Sequence, residues 1–296
     1  MTRPMILRTA LKSYPHTIPL KNREITDPRV ELDFAEVEPI HGAFAPMARQ
    51  QAYDVSEMAI VTYLQARAYD KPLVLLPMII AARLQQGCIV YNANRGEMSV
   101  SDLVGAKVGV RSYSQTTGMW VRGILENTYG IDPQQIQWVT FKGSHLEEYQ
   151  DPEGFVSRAG EDKVMLDMLL DGEIDAAIFG NDLPNIEGIK PLIPNAKEAD
   201  QVWYEQQQLV PPNHVVVMKR DIVEQSPQVA QAVYDLLKKG KESVSPPISS
   251  NYLPTGVDDM RRSLELALEY CEQQQLLPKK LDLEEILAEC HSIFEQ

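Results

Sequence analysis

The chain has 296 residues, of which 44% are hydrophobic, and a formal net charge of −14 at pH 7. This length and apolar content are enough for two domains, each with its own core. The acidic balance argues against nucleic acid or an anionic membrane as a partner, because both bind basic surfaces. The three cysteines, Cys88, Cys271 and Cys290, form no CxxC pair, which favours buried, reduced thiols.

The N-terminal segment gives no sign of export. Residues 1–20 contain basic side chains and prolines, and they have no apolar stretch typical of a signal peptide. The longest apolar run, residues 73–82, is too short to span a bilayer. We therefore expect a cytoplasmic protein without a membrane partner.

In chain order, apolar patterns predict strands that alternate with helices. Strands are predicted at 5–11, 30–38, 53–55, 73–80, 88–91, 106–110, 136–141, after Gly172 and at 214–218. Helices are predicted at 43–51, 60–69, from about 121, at 164–170, after Ser226, at 258–273 and after Asp282. This alternation indicates an α/β fold with mostly parallel sheets and a helical C-terminal tail.

A polar turn joins the predicted strand 106–110 to the helix that follows, and residues 109–123 read GVRSYSQTTGMWVRG. Free N–H groups at a helix start, hydroxyl groups and an arginine fork are typical donors to a carboxylate or phosphate. The turn therefore predicts an anion site. Its residues are Arg111, Ser112, Tyr113, Ser114, Thr116 and Thr117. A plain helix cap beside a surface arginine is the alternative.

The two α/β halves and the stretch GEIDAAIFG at 172–180 resemble the type II periplasmic-binding-protein fold. In that fold the chain crosses from one lobe to the other and returns. The resemblance implies a first lobe of residues 1–92 and 213–296 and a second lobe of residues 93–212.

Four further short motifs are more specific: DVSEMA at 54–59, YL at 63–64, WVRG at 120–123 and HVVV at 214–217. They resemble the 4,5-dihydroxyphthalate decarboxylase family over most of the chain. The resemblance implies a cofactor-independent decarboxylase of a hydroxylated aromatic carboxylic acid, as in phthalate degradation, with the substrate bound between two lobes. Residues 81–87, AARLQQG, keep one arginine of the family's Pro-Ser-Arg-x-Phe-Arg-His-like segment. This departure leaves open which aromatic acid is bound and whether it is decarboxylated or only bound.

Ligands of open α/β sheets lie beyond the carboxyl ends of the strands, and this rule predicts the substrate-binding residues. In the first lobe they are Lys12, Tyr14, His41, Ser56 and Arg83, and in the second lobe they are the turn at 111–117 and Asn181. For the two arginines, Arg83 and Arg111, an ordinary surface ion pair is the alternative.

Two residues are predicted to be catalytic. Glu57 would polarise or deprotonate a ring hydroxyl, and His214 would protonate the carbon that loses carbon dioxide. A helix-capping acid is the alternative for Glu57, and a packed strand-end residue is the alternative for His214. No metal site is predicted, because His145 has no identifiable partner ligands.

Two other function classes stay open. A solute-binding protein without its export leader would hold a small organic anion unchanged, and fold alone does not separate it from an enzyme. Another enzyme of this fold, such as a menaquinone-pathway naphthoate synthase or a thiamin pyrimidine-precursor synthase, ranks lower because no pyridoxal-type lysine or histidine context is seen. The helical tail also suggests a homodimer.

Overall fold

A computed structural model of the protein describes residues 3–180, 182–246, 248–249 and 251–295. The chain forms two compact units. Unit 1 consists of Met1–Arg83, Pro212–Leu268 and Lys279–Gln296, and unit 2 consists of Leu84–Pro211 and Glu269–Pro278. The lobe boundaries implied by the resemblance place residues 84–92 and 269–278 in the first lobe, whereas these segments belong to unit 2.

The first part of unit 1 alternates strands and helices, as predicted. It contains β1 (Met5–Ala10), α1 (Ile18–Lys21), β2 (Val30–Phe34), α2 (Phe44–Gln50), β3 (Val55–Ala59), α3 (Ile60–Ala68) and β4 (Leu73–Ala82). The predicted strand 30–38 ends at Phe34, where its apolar alternation is lost. The predicted strand 53–55 begins at Val55 and extends to Ala59, so Glu57 lies within a strand.

Unit 2 contains β5 (Ile89–Asn92), β6 (Lys107–Val110), α4 (Thr116–Tyr129), β7 (Gln137–Thr140), β8 (Val156–Arg158), α5 (Met165–Asp171), β9 (Ala176–Ile178), β10 (Ile189–Pro191) and α6 (Ala196–Gln207). Its six-stranded sheet has the order β10-β5-β9-β6-β7-β8. The strands β9, β6, β7 and β8 pair in parallel, whereas β5 and β10 pair antiparallel. Since β5 pairs with β9 and β10, the segment around it belongs to unit 2.

The chain then adds one strand and a run of helices: β11 (Pro212–Lys219), α7 (Arg220–Gln225), α8 (Pro227–Glu242), α9 (Val257–Gln273) and α10 (Leu283–Phe294). The predicted helix starts at Ser226-Pro227 and Asp282 are confirmed. Pro227 occupies the first turn of α8, and the Asp282 carboxylate accepts the Glu284 backbone N–H at 2.8 Å. None of the helices in the described part of the chain combines the length and apolar character needed to cross a membrane.

The sheet of unit 1 has five strands in the order β2-β1-β3-β11-β4. The first three strands are parallel, and β11 runs antiparallel to both β3 and β4. The beginning of β11 therefore lies at the carboxyl ends of β1 and β3. The strand β4 is an almost fully buried apolar run, and its register with β11 shifts around Pro77, which has no N–H to donate.

Candidate active site

Three segments of unit 1 meet where β1 and β3 end and β11 begins. Lys12 follows β1, Glu57 lies in β3, and His214 lies near the start of β11. In the register of β3 and β11, His214 pairs with Ala59 and Val216 pairs with Glu57. His214 is therefore the diagonal neighbour of Glu57 on one face of the sheet. The structure thus brings together the two residues that were predicted to be catalytic.

The carboxylate of Glu57 is fully buried and accepts three hydrogen bonds. Its Oε1 atom accepts the hydroxyl of Tyr14 at 2.6 Å and lies 2.6 Å from Nδ1 of His214. Its Oε2 atom accepts the backbone N–H of Lys12 at 2.9 Å. Burial by itself would raise the pKa of the Glu57 carboxyl, but these donors, His214 foremost, lower it below its usual value. Glu57 is therefore an ionised carboxylate inside the protein.

His214 connects this buried carboxylate to the surface, because its side chain is 20% exposed. An ionised carboxylate only accepts hydrogen bonds, so Nδ1 of His214 carries the proton in this contact. Within the described residues, Nε2 of His214 has no hydrogen-bond partner. The ring of Phe44 meets the imidazole edge-on, with ring centroids 5.0 Å apart. The imidazole is thus fixed on one side and available for proton transfer on the other.

Tyr14 and His16 extend the cluster along the turn that follows β1. Their rings stack with centroids 5.1 Å apart, and Nε2 of His16 lies 3.1 Å from the carbonyl oxygen of Ile80. Burial and the Glu57 carboxylate raise the pKa of Tyr14, so its hydroxyl stays protonated and donates. The sequence predicts Tyr14 only as a residue that lines the site, because no local pattern indicates a contact with a strand more than forty residues later.

The structure corrects two predictions in β3. Glu57 was expected to act on a ring hydroxyl of the substrate, but it is fully buried and both its oxygen atoms already accept hydrogen bonds. Ser56 was expected to bind substrate, but it is also fully buried and its hydroxyl donates to the carbonyl of Glu57 at 2.8 Å. Both side chains therefore organise the site from inside.

The other predicted binding residues of unit 1 are partly or fully accessible. Lys12 is half-buried and its ammonium lies 5.6 Å from the centre of the Tyr14 ring. Arg83 is half-buried directly after β4, and His41 is exposed in the short 3-10 turn Ile40–Ala43. Their contacts with a substrate stay predictions.

In unit 2, the polar turn that was predicted to bind an anion joins β6 to α4. The hydroxyl oxygens of Ser112 and Ser114 are 3.2 Å apart, and α4 begins without a side-chain cap. Burial lowers the pKa of the Arg111 guanidinium, against an opposite effect of Asp182. Anion binding by Arg111, Ser112, Ser114, Thr116 and Thr117 stays a prediction, and Asn181 lies outside the described residues.

Tyr113 is a packing residue of unit 2, which corrects its predicted role in ligand binding. It is 1% exposed, and the guanidinium carbon of Arg122 lies 3.9 Å from the centre of its ring. Arg122 is fully buried and donates to the Tyr113 carbonyl at 2.5 Å and to Oε1 of Gln274 at 2.7 Å. The motif WVRG therefore contains a buried arginine that connects α4 to the segment Glu269–Pro278 by a hydrogen bond.

Comparison with known proteins gives two curated relatives and a set of solved structures, whereas no protein-family profile matches the chain. A 4,5-dihydroxyphthalate decarboxylase of Comamonas testosteroni is 27% identical over 251 residues, covering 79% of this chain and 74% of the relative. A 4,5-dihydroxyphthalate decarboxylase of Pseudomonas putida is 27% identical over 181 residues, covering 58% of this chain and 69% of the relative.

Similar solved structures include the periplasmic aliphatic sulphonate-binding protein SsuA of Escherichia coli, with 15% identity and a TM-score of 0.59 over 95% of this chain and 91% of that one. A putative sulfonate-binding protein of Methylobacillus flagellatus has 11% identity and a TM-score of 0.54 over 99% and 95%. These likenesses confirm the predicted fold class. The chain is thus similar in sequence to the 4,5-dihydroxyphthalate decarboxylases and has the type II periplasmic-binding-protein-like α/β fold.

Proposed function

We propose that the protein is a cofactor-independent decarboxylase of a hydroxylated aromatic carboxylic acid of the 4,5-dihydroxyphthalate type. The observation that carries the proposal is the 2.6 Å contact between the buried Glu57 carboxylate and Nδ1 of His214, whose Nε2 atom stays available. Such a pair is a common device for proton transfer. The similarity to two curated decarboxylases supports the choice of reaction.

In the proposed reaction, Nε2 of the His214 imidazolium gives a proton to the ring carbon that bears the leaving carboxylate. A ring hydroxyl para to that carbon supplies electron density as the new C–H bond forms. The bond between the ring and the carboxylate then breaks, its electrons restore the aromatic ring, and carbon dioxide leaves. One proton enters for each carbon dioxide released, and His214 takes its next proton from water.

Glu57 acts in this scheme as a positioning residue, because it contacts His214 and is buried away from any substrate. Its negative charge stabilises the imidazolium that must donate the proton. The hydroxyl of Tyr14 and the backbone N–H of Lys12 hold the carboxylate in place from the other side. A positioned proton donor of this kind contributes on the order of 10²–10⁴-fold to a reaction rate.

A solute-binding protein for a small organic anion is the second candidate. It is favoured by the fold neighbours, two of which are described as sulfonate-binding proteins. In unit 2, burial lowers the pKa of the Arg111 guanidinium, and a bound anion would stabilise its charged form.

One incubation separates the two candidates. Purified protein is mixed with 4,5-dihydroxyphthalate carrying carbon-13 in its carboxyl groups, and the solution is followed by NMR. The proposed enzyme releases labelled carbon dioxide and leaves 3,4-dihydroxybenzoate, whereas a binding protein returns the ligand unchanged. The His214→Asn variant serves as the control for release by contaminating enzymes.

A further inference from the structure

Lys241 is a buried cation that the proposed reaction does not use. It lies in the last turn of α8, only 9% of its surface is exposed, and its ammonium donates to the hydroxyl of Thr255 at 2.6 Å. Among the described residues, no carboxylate forms an ion pair with it. Since a buried ammonium is costly without a negative partner, this arrangement indicates a place for an anion.

A second buried basic residue lies beside Lys241. A Cβ atom on Gly240 would come within 2.4 Å of the carbonyl oxygen of His16, so α8 packs directly against the turn that carries His16. His16 is 6% exposed, and burial, together with the nearby ammonium of Lys241, lowers the pKa of its imidazole. Glycine is required at position 240 because any side chain would push α8 away from this turn.

Both groups border the end of β4, where the Glu57–His214 pair also lies. Thr255 forms a bridge with Met78, and Nε2 of His16 lies 3.1 Å from the carbonyl oxygen of Ile80. The next residue, Ala81, pairs with His214. The ring of His16 also stacks on Tyr14, which donates to Glu57. Lys241 therefore lies at the same edge of unit 1 as the proposed catalytic pair.

We propose that Lys241, together with the hydroxyl of Thr255, binds a second carboxylate of the substrate, the one that the product keeps. This inference rests on the proposed function, since it takes an aromatic 1,2-dicarboxylate as the ligand. It assigns a specificity role to a residue outside the proton-transfer pair. The carboxylate would form the direct ion pair that no described residue forms with this ammonium, which Asp259 affects only from a distance.

The titration of Lys241 fits this role. Burial lowers the pKa of its ammonium to about 8, although Asp259 acts in the opposite direction. The charged form of Lys241 therefore predominates at neutral pH, but it loses its proton more easily than an ordinary lysine does. An anion that binds beside it raises its pKa again.

The test uses phthalate, which has both carboxylates but lacks the ring hydroxyl groups that the decarboxylation needs. Calorimetry measures its dissociation constant for the wild-type protein, for Lys241→Met and for the matched control Lys238→Met, an exposed lysine of the same helix. We expect Lys241→Met to weaken phthalate binding about 10- to 100-fold. The control should change it by less than about twofold.

A second measurement follows the wild-type protein and does not depend on the folding of the methionine variant. The Lys241 side chain is labelled with carbon-13, assigned with Lys241→Arg and titrated by NMR with and without phthalate. Saturating phthalate should raise its pKa by about one unit or more.

The inference is overturned if wild-type protein does not bind phthalate, if Lys241→Met binds it as tightly as wild type, or if phthalate leaves the lysine titration unchanged. Because phthalate is not turned over, these results are independent of catalysis. A protein that passes both tests but releases no carbon dioxide from 4,5-dihydroxyphthalate would remove the decarboxylase proposal and keep the carboxylate site.

Discussion

Glu57 in unit 1 and Arg122 in unit 2 are both fully buried charges, yet their surroundings differ in kind. Glu57 accepts three hydrogen bonds, one of them from His214, whose other ring nitrogen has no partner among the described residues. Arg122 donates to a backbone carbonyl and to an amide oxygen and packs on the rings of Tyr113 and Trp138. A buried charge can serve proton transfer only where its partner also reaches the outside.

The same difference separates the structural roles of two short sequence motifs. The motifs DVSEMA at 54–59 and WVRG at 120–123 both resemble the decarboxylase family, and each contains a fully buried charged residue. In the first motif Glu57 orients the partly exposed imidazole of His214, whereas in the second motif Arg122 holds α4 against the segment Glu269–Pro278. We therefore expect substitutions in the first motif to act on turnover and those in the second to act on stability.

The largest effect is expected for His214→Asn, which keeps a polar side chain but removes the proton donor. Its kcat on 4,5-dihydroxyphthalate should fall about 10²–10⁴-fold, while the dissociation constant changes little. The control is His291→Asn, a 43% exposed histidine of α10 that should keep wild-type turnover. Equal kcat values for the two variants would remove His214 from the mechanism.

Glu57→Gln should lower kcat by roughly 100-fold, because a neutral amide no longer stabilises the His214 imidazolium. An amide can also present its NH₂ group to Nδ1 and so reverse the tautomer of the imidazole. Steady-state kinetics on 4,5-dihydroxyphthalate separate the two parameters, and the loss should fall on kcat while KM changes little. A folded variant with the wild-type kcat would show that the carboxylate does not act through His214.

For Arg122→Lys, the comparison predicts a loss of stability with little loss of turnover. A single ammonium cannot replace the fork that donates to both Tyr113 and Gln274, and a buried acceptor left without its donor costs about 1–3 kcal/mol. Urea unfolding measures the effect, with Arg262→Lys, a 49% exposed arginine, as the control. The comparison fails if the folded variant loses activity as strongly as Glu57→Gln.

For Lys241→Met, the change in the free energy of unfolding depends on pH and becomes small in alkaline solution. The pKa of Lys241 is about 8 in the folded protein and 10.5 as an ordinary lysine, so the unfolded chain binds the extra proton between these values. The contribution of Lys241 to the free energy of unfolding of the wild-type protein is therefore lowest below pH 8. It rises as the pH increases from about 8 to above 10. Near neutral pH the methionine variant should be more stable by roughly 1–3 kcal/mol.

This advantage should shrink as the pH rises, which urea unfolding of both proteins at a series of pH values can follow. A constant difference across the series would mean that Lys241 is not held below its usual pKa. A less stable methionine variant at neutral pH would mean that the bond to Thr255 outweighs the cost of the buried charge.

The sequence predicted the alternation of strands and helices, because β4 and β11 are apolar runs and α8 and α9 are amphipathic. It also predicted that Glu57 and His214 belong to one site, since both lie where strands reach the same edge of a sheet. It could not predict that Glu57 is enclosed, because burial depends on the turn that contains Tyr14, forty-three residues away in sequence.

Tyr113 and Lys241 show the same limit in opposite directions. Tyr113 lies among hydroxyl residues and was therefore predicted to bind a ligand, but its ring packs on Arg122 nine residues later. Lys241 follows two exposed lysines in α8 but is 9% exposed, and Gly240 beside it lies directly against the turn that carries His16. Long-range packing decided both positions.

The most direct test of the central claim is a single turnover of 4,5-dihydroxyphthalate labelled with carbon-13 in its carboxyl groups. Protein in excess is mixed with the ligand, and labelled carbon dioxide is followed for wild type and for His214→Asn. The account predicts that wild type releases carbon dioxide while the variant holds the ligand unchanged. Release at the same rate from both proteins, or from neither, would contradict it.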